Sequence, residues 1–218
     1  MNYDSVPLRD FKELNDWETV IFVYQSALKQ VETKIDILNG EFQHRHKYNP
    51  IEHVKSRIKT PESIVKKLKR HGYESSIENM VRYVNDIAGI RISCSFTSDI
   101  YLIADMISKQ NDLTILARRD YMKNPKKSGC RSYHMLVTTP VFLSDSIIDT
   151  KVEIQIRTVA QDFWATLEHK MHYKFEGDGP DYITKELREC ARYVAELDTR
   201  MEELNNEIQK YGKLSDKK

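Results

Sequence analysis

The chain has 218 residues, 40% of them hydrophobic and 31% charged, with a formal net charge of +1. That length suits one well-cored domain with an appendage. No apolar run reaches the ~20 residues of a membrane span. Met1-Asn2-Tyr3-Asp4 lacks the basic-then-apolar pattern of a signal segment, and Cys94, Cys130 and Cys190 are odd in number with no Cys-x-x-Cys pair. The expectation is a cytoplasmic protein with reduced thiols, no zinc site and no membrane partner.

Positive charge is nevertheless concentrated. Lys55, Arg57, Lys59, Lys66, Lys67, Lys69 and Arg70 face a single acid, Glu62, between positions 55 and 70, and Arg118, Arg119, Lys123, Lys126, Lys127 and Arg131 form a second group. Two basic segments in a near-neutral chain suit a localised polyanion, such as the phosphates of a small ligand.

In chain order, apolar Trp17, Ile21, Tyr24, Leu28, Val31, Ile35 and Leu38 repeat in steps of four and three. The pattern predicts a helix over 12–39 with a seam for other helices, started by an Asn15/Glu18 capping box and closed by Gly40. Residues 41–56 read as a polar connection. Thr60 as N-cap, Pro61 at the first helical position and Gly72 as the stop define a short helix, on which Ser63, Lys67 and Arg70 share one face while Ile64, Val65 and Leu68 cover another. The polar stripe runs back to Lys59 and Arg57 at the positive end of the helix dipole. A helix from Ser76 to Asn85 follows.

From Gly89 the chain alternates as a strand: Ile90, Ile92, Cys94 and Phe96 on one face, Arg91, Ser93 and Ser95 on the other. Asp86 has the parity of the core face, and Gly89 is read as a bulge that re-aims it. A helix over 98–110, a strand over 113–117 and a basic loop over 118–131 lead to a strand over 132–139, whose less apolar side carries His134. After Pro140 and a turn, Val152, Ile154 and Ile156 alternate with Glu153, Gln155 and Arg157. A helix over 159–173 holds Phe163, Trp164, Leu167 and Met171, and Gly177-Asp178-Gly179-Pro180 breaks the chain. Beyond it Ile183, Leu187, Cys190, Val194, Leu197, Met201, Leu204, Ile208 and Tyr211 repeat four and three, predicting a long helix that meets the Trp17 helix and supports self-association. Alternating helices and strands suggest an α/β sandwich.

Two acids, Asp86 and Glu153, with two basic segments and strand arginines, are what transfer of phosphate from a magnesium nucleotide requires. Neither a Gly-x-x-x-x-Gly-Lys-Ser/Thr loop nor a kinase glycine loop is present.

Five motifs carry a resemblance: Arg57-x-Lys59-x-x-x-Ser63-x-x-x-Lys67-x-x-Arg70, Asp86-Ile-Ala-Gly-Ile-Arg91, Lys126-x-x-Gly129-x-Arg131-Ser132-Tyr133-His134, Glu153-Ile-Gln-Ile-Arg157-Thr158, and Phe163-Trp164-Ala165-Thr166-x-Glu168-His169. Over residues 17–210 the chain resembles the synthetase domain of the RelA/SpoT family, in the form of a small alarmone synthetase of the RelQ type. The resemblance implies an α+β fold, a mixed β-sheet of about five strands flanked by helices and nucleotidyltransferase-like, with long N- and C-terminal helices. It divides the chain into a synthetase domain over 1–180 and an oligomerising heptad helix over 181–218, and it implies a homotetramer.

The family transfers the β,γ-pyrophosphate of ATP to the ribose 3′-hydroxyl of GDP or GTP and releases AMP; GMP is a further acceptor to be considered. By resemblance, Asp86 and Glu153 hold Mg²⁺, and Glu153 is also the base. Arg57 and Arg91 sandwich adenine, and Lys59, Ser63, Lys67 and Arg70 grip the ATP phosphates. Arg119, Lys126, Ser128, Cys130, His134, Gln155 and Ala165 face the guanine nucleotide. The His-Asp pair of the family's hydrolase half is absent, so synthesis without degradation is expected. Two rival readings stay open: a toxin-like relative that pyrophosphorylates another 3′-hydroxyl, and a non-catalytic RNA-binding regulator; weak RNA binding is also expected of an enzyme with these basic segments.

Cys130 departs from the pattern, because the family usually has a tyrosine there that stacks on guanine. The loss predicts weaker acceptor binding or a substitute ring such as Tyr121. Cys130→Tyr should therefore lower the acceptor KM in steady-state assays; an unchanged KM would show that base stacking is not what the site lacks.

Overall fold

The computed structural model describes residues 16–46, 48–174 and 181–215. Its elements are α1 (Trp17–Arg45), β1 (Ile51–Ile58), α2 (Pro61–Arg70), α3 (Ile77–Tyr83), β2 (Ala88–Cys94), α4 (Thr97–Ser108), β3 (Thr114–Asp120), β4 (Tyr133–Phe142), β5 (Ile147–Thr158), α5 (Val159–Lys174) and α6 (Asp181–Ser215). The strands form one five-stranded sheet in the order β1-β2-β5-β4-β3. Only the β2–β5 pair is parallel, so the sheet is mixed and the fold α+β, with long first and last helices.

Strand pleating gives this sheet two chemically different faces. On one, Ile90 and Ile92 of β2, Ile154 and Ile156 of β5, and Met135 and Val137 of β4 are buried with Val20, Val23, Tyr24, Leu28, Val31 and Ile35 of α1 and Ile100, Ile103 and Ile107 of α4. At ~25 cal/mol per Å² of apolar surface removed from water, this cluster is the main source of stability. On the opposite face the register sets Arg57 beside Gly89, Gly89 beside Glu153, Arg91 beside Gln155, Ser93 beside Arg157, and Gln155 beside His134.

Several boundaries differ from the sequence reading, each for a physical reason. α1 runs through Gly40 to Arg45, because one glycine costs a helix only about 1 kcal/mol, and its cap is Asp16, whose Oδ1 accepts from the Thr19 amide at 2.7 Å. Asn15, the expected cap, lies outside the described residues, as does the Gly177-Asp178-Gly179-Pro180 break. The α1 seam faces the sheet, not other helices.

The polar connection contains edge strand β1, in which only Ile51 is buried, so no alternation announced it. β3 extends to Asp120, shortening the basic loop to 121–132, and β4 continues through Pro140 to Phe142. No bulge occurs at Gly89, where pairing is continuous on both sides; Asp86 escapes the core because it sits in the turn before β2. α6 packs on α5 and α4 instead of α1. Of the four apolar residues read on α5, Trp164 is buried while Phe163, Leu167 and Met171 are exposed.

A second, smaller apolar cluster joins Cys130 of the loop, Trp164 and Ala165 of α5 and Ala191 of α6. Here Gly129 adopts a φ of +91°, and a Cβ added to it would lie 2.7 Å from the Ala191 Cβ. Both the left-handed backbone and the close approach require glycine. Gly129→Ala should therefore destabilise the protein by about 1–3 kcal/mol, read as a lower Tm in thermal unfolding, whereas an alanine at exposed Gly40, with nothing within 4 Å, should not.

Candidate active site

The α2 segment and the turn before β2 meet at Asp86. Thr60 caps α2 through its hydroxyl, which accepts from the Ser63 amide, and Pro61 starts it, so Lys67 projects toward the turn from a fixed helix. Lys67 Nζ donates to Asp86 Oδ1 at 2.8 Å, and Lys59 Nζ, from the residue after β1, donates to Oδ2 at 2.9 Å. Burial alone would raise the Asp86 pKa, but the two ammonium groups outweigh it and hold the carboxyl at about 2.

Behind this turn lies Lys151 of β5, 3% exposed, whose Nζ donates to Arg82 O at 3.2 Å and Asn85 Oδ1 at 2.7 Å. Burial, and secondarily Lys67, pushes its pKa down to about 8. Lys151 therefore ties the Asp86 turn to the strand that carries Glu153.

Glu153 is held from both oxygens. His134 Nδ1 lies 3.3 Å from Oε1, and Gln155 Nε2 donates to Oε2 at 2.8 Å. Burial raises the pKa of this carboxyl, its His134 and Gln155 contacts more than offset that, and the charge of Asp86 opposes them, leaving it below the usual glutamate value. The His134 pKa is lowered, chiefly by burial, which favours the neutral ring against the opposing pull of Glu153. A neutral ring with a carboxylate at Nδ1 carries its proton there, leaving Nε2 to accept from Ser132 Oγ at 2.8 Å.

Lys55, Ser56, Arg57, Asp86, Gly89, Ile90, Arg91, Glu153 and Gln155 line a single open cleft of about 170 Å³. The two acids singled out in the sequence are thus brought together, with Arg57 and Arg91 on the same cleft. Arg91 NH1 is also 3.2 Å from Asp162 Oδ1 on α5. Ser63 and Arg70 stand exposed on α2, outside the residues that line the cleft; Ser63 Oγ accepts from the Thr60 hydroxyl.

Most of the residues expected to meet the acceptor lie on or beside loop 121–132. Asp120 Oδ1 accepts from the Met122 and Lys123 amides at 3.0 Å each, and the Tyr121 amide donates to Ser132 O, so the loop leaves and rejoins the sheet as a closed turn. Lys126 Nζ lies 4.8 Å from the centre of the Tyr121 ring, which meets His134 edge-on at 5.1 Å, and Arg119 NH1 donates to the Tyr121 hydroxyl at 3.4 Å. Ser128 Oγ accepts from the Cys130 amide. Cys130 and Ala165 are buried in the second apolar cluster, so Tyr121, not position 130, presents the ring beside these polar groups.

Sequence reasoning missed Lys151 and Asp162. Lys151 has the parity of Glu153, Gln155 and Arg157, so extending that strand backwards finds it; Asp162 reads only as an acid in the first turn of a helix.

Among the described residues no group of three or more His, Cys, Asp or Glu could hold a metal ion. The pair Asp86 and Glu153 fits a hard divalent cation that takes one or two carboxylates and completes its shell with phosphate oxygens and water.

Paired carboxylates among lysines and arginines on a sheet face define a phosphate-handling nucleotide domain. The family model described as a region found in RelA / SpoT proteins matches residues 56–178. The chain belongs to the RelA/SpoT family. It is 44% identical over 195 residues to GTP pyrophosphokinase YwaC of Bacillus subtilis strain 168, covering 89% of this chain and 93% of that one. Among solved structures it is similar to small alarmone synthetase 1 from Bacillus subtilis bound to its product pppGpp, with a TM-score of 0.83 and 34% identity over 88% of this chain and 98% of the other. It is likewise similar to small alarmone synthetase 2 from that organism, with a TM-score of 0.79 and 43% identity over 88% and 99%.

The lysine clamp on Asp86 has a pH signature. Because the folded carboxyl titrates at about 2 and the unfolded one near 3.8, the clamp's stabilisation is present above about pH 4 and is lost as pH falls through 2. The Tm gap between the wild type and Asp86→Asn should therefore shrink over that window, by the equivalent of about 2 kcal/mol.

Proposed function

We propose that the chain is an alarmone synthetase, a GTP pyrophosphokinase that transfers the β,γ-pyrophosphate of ATP to the 3′-hydroxyl of GDP or GTP in stringent-response signalling. The observation that carries this reading is the single cleft shared by Asp86, Glu153, Arg57 and Arg91. Arg57 and Arg91 stack on the two faces of adenine, a role suited to planar guanidinium groups. Lys59, Ser63, Lys67 and Arg70 grip the ATP phosphates, the two lysines exchanging their bonds to Asp86 for phosphate oxygens as the nucleotide enters.

Asp86 and Glu153 hold Mg²⁺, which when bound offsets charge on the transferring phosphates. Arg119, Lys126, Ser128, Cys130, His134, Gln155 and Ala165 receive the guanine nucleotide around loop 121–132. Glu153 takes the proton from the 3′-hydroxyl. That oxygen attacks the β-phosphorus of ATP, the bond from this phosphorus to the α,β-bridging oxygen breaks, and AMP leaves with the electron pair. The product carries a 3′-diphosphate.

The proposal extends to a cytoplasmic homotetramer, with 1–180 as the synthetase domain and 181–218 as the oligomerising helix. In support, Leu197, Met201, Leu204, Ile208 and Tyr211 on α6 are each about half exposed or more, and no helix among the described residues is long and apolar enough to cross a membrane. Weak RNA binding would use the same cations and fall steeply with salt. A second reading keeps the ATP half and changes the acceptor to another 3′-hydroxyl; a buried cysteine at position 130, where the family usually has a tyrosine, favours it.

Pure protein incubated with ATP, Mg²⁺ and GMP, GDP or GTP in turn should give AMP and a guanosine 3′-diphosphate in equal amounts, resolved by anion-exchange separation. Glu153→Gln should lower kcat by about 10²–10⁴-fold. AMP formation only with a non-guanine acceptor would select the second reading, and no transfer at all would overturn both.

A further inference from the structure

Glu153, Gln155 and Arg157 alternate along one face of β5, and their side chains touch in series. Gln155 Nε2 donates to Glu153 Oε2 at 2.8 Å, and Arg157 NH2 donates to Gln155 Oε1 at 2.8 Å. A guanidinium offers donors only, so whatever faces it must accept. The Arg157 contact therefore dictates which end of the Gln155 amide points back to Glu153. Reversing the amide would set its oxygen against the carboxylate and its NH₂ against the guanidinium, two repulsive contacts in place of two attractive ones.

Arg157 is itself buried and ion-paired. Its side chain is only 7% exposed, and NH1 lies 3.7 Å from Oδ1 of Asp162, a residue set in the first turn of α5. The same oxygen is 3.2 Å from Arg91 NH1 on the cleft. Asp162 is thus the shared counter-ion of one arginine behind Glu153 and another beside the ATP half of the cleft.

We propose that Arg157 and Asp162 are positioning residues that lock the amide of Gln155 so that its NH₂ group holds the Glu153 carboxylate in the orientation needed to take the acceptor proton. This rests on the reading of Glu153 as the base. Neither residue reaches a reacting atom; both act through Gln155. The groups facing Glu153 are His134 from β4, Asp86 from the turn before β2 and Gln155 from its own strand. Arg157 meets Gln155 on its own strand and Asp162 on α5, and it lies in the field of Arg91 and Glu153.

The deciding variant is Gln155→Glu in the full chain with ATP, Mg²⁺ and GTP. It keeps an acceptor for Arg157 and the side-chain shape, but turns an anion instead of a donor toward Glu153. The expected result is an unchanged Tm, a fall in kcat of about 10- to 100-fold and an ATP KM within about 2-fold, with any rise in the KM of the acceptor, which Gln155 also meets, smaller than the fall in kcat. Arg157→Lys should lower kcat in the same direction, and on a Gln155→Leu background it should change kcat by less than about 2-fold, since its path through the amide is already cut.

Multiplying effects of Arg157→Lys and Gln155→Leu would overturn the proposal by assigning Arg157 a purely structural role. A Gln155→Glu protein with normal kcat but a raised acceptor KM would overturn it too, making Gln155 a nucleotide contact only. If Arg157→Lys fails to fold, Gln155→Glu still decides. The underlying reading is tested apart: full activity in Glu153→Gln refutes the base assignment itself, whereas inactivity there combined with normal kcat in Gln155→Glu refutes the lock alone.

Discussion

Parallel pairing of β2 with β5 is the constraint on which the site depends. It places the turn that carries Asp86 at the same end of the sheet as Glu153 and sets Arg91 beside Gln155. The register, with Gly89 beside Glu153, sets that turn next to the middle of β5. The pair is buried on its apolar face by α1 and α4, so its register is set by Ile90, Ile92, Ile154 and Ile156: a slip by one residue would send all four to the polar side and the cleft residues into the core. Core packing and site geometry are in this sense one problem, solved once.

Electrostatics then assigns the state of each group. Asp86 stays ionised because two ammonium groups meet its two oxygens. Glu153 also stays ionised, yet its contacts are a neutral imidazole and an amide rather than a cation. The difference suits the two proposed roles. A carboxylate clamped by lysines is an anchor whose partners can move to phosphates, while one held by neutral donors has no cation to displace before it meets the acceptor hydroxyl. His134 connects this carboxylate to Ser132, and Lys151, drawn down by burial, braces the turn from below.

Much of this was legible in the chain because local rules and the tertiary fold agree. Thr60, Pro61 and Gly72 bound α2 as their chemistry demands, and Gly72 takes a φ of +78° at its end. The alternation after Gly89 and around Glu153 foretold both central strands and which side chains share their polar face. β1 was invisible for the opposite reason: an edge strand beside an open cleft buries almost nothing, so Glu52, His53, Lys55 and Ser56 read as a polar connection. Lys151 and Asp162 were missed because a charge acquires its meaning only from the neighbours folding provides; Asp162 in a helix's first turn would be unremarked without Arg91 and Arg157. The long seam of α1 was read correctly as apolar but assigned to helices, since periodicity identifies a buried stripe and not what buries it.

The contact between Gly129 and Ala191 has a mechanical consequence. With backbone and methyl already at closest approach, α6 acts as a backstop for the loop that bears Lys126 and Ser128, and that loop can yield only outward, away from the helix. The last helix therefore bounds the inward side of that loop, and its own placement on α5, through the Trp164 indole bonded to Leu187 O, becomes part of how the loop stands beside the proposed acceptor site.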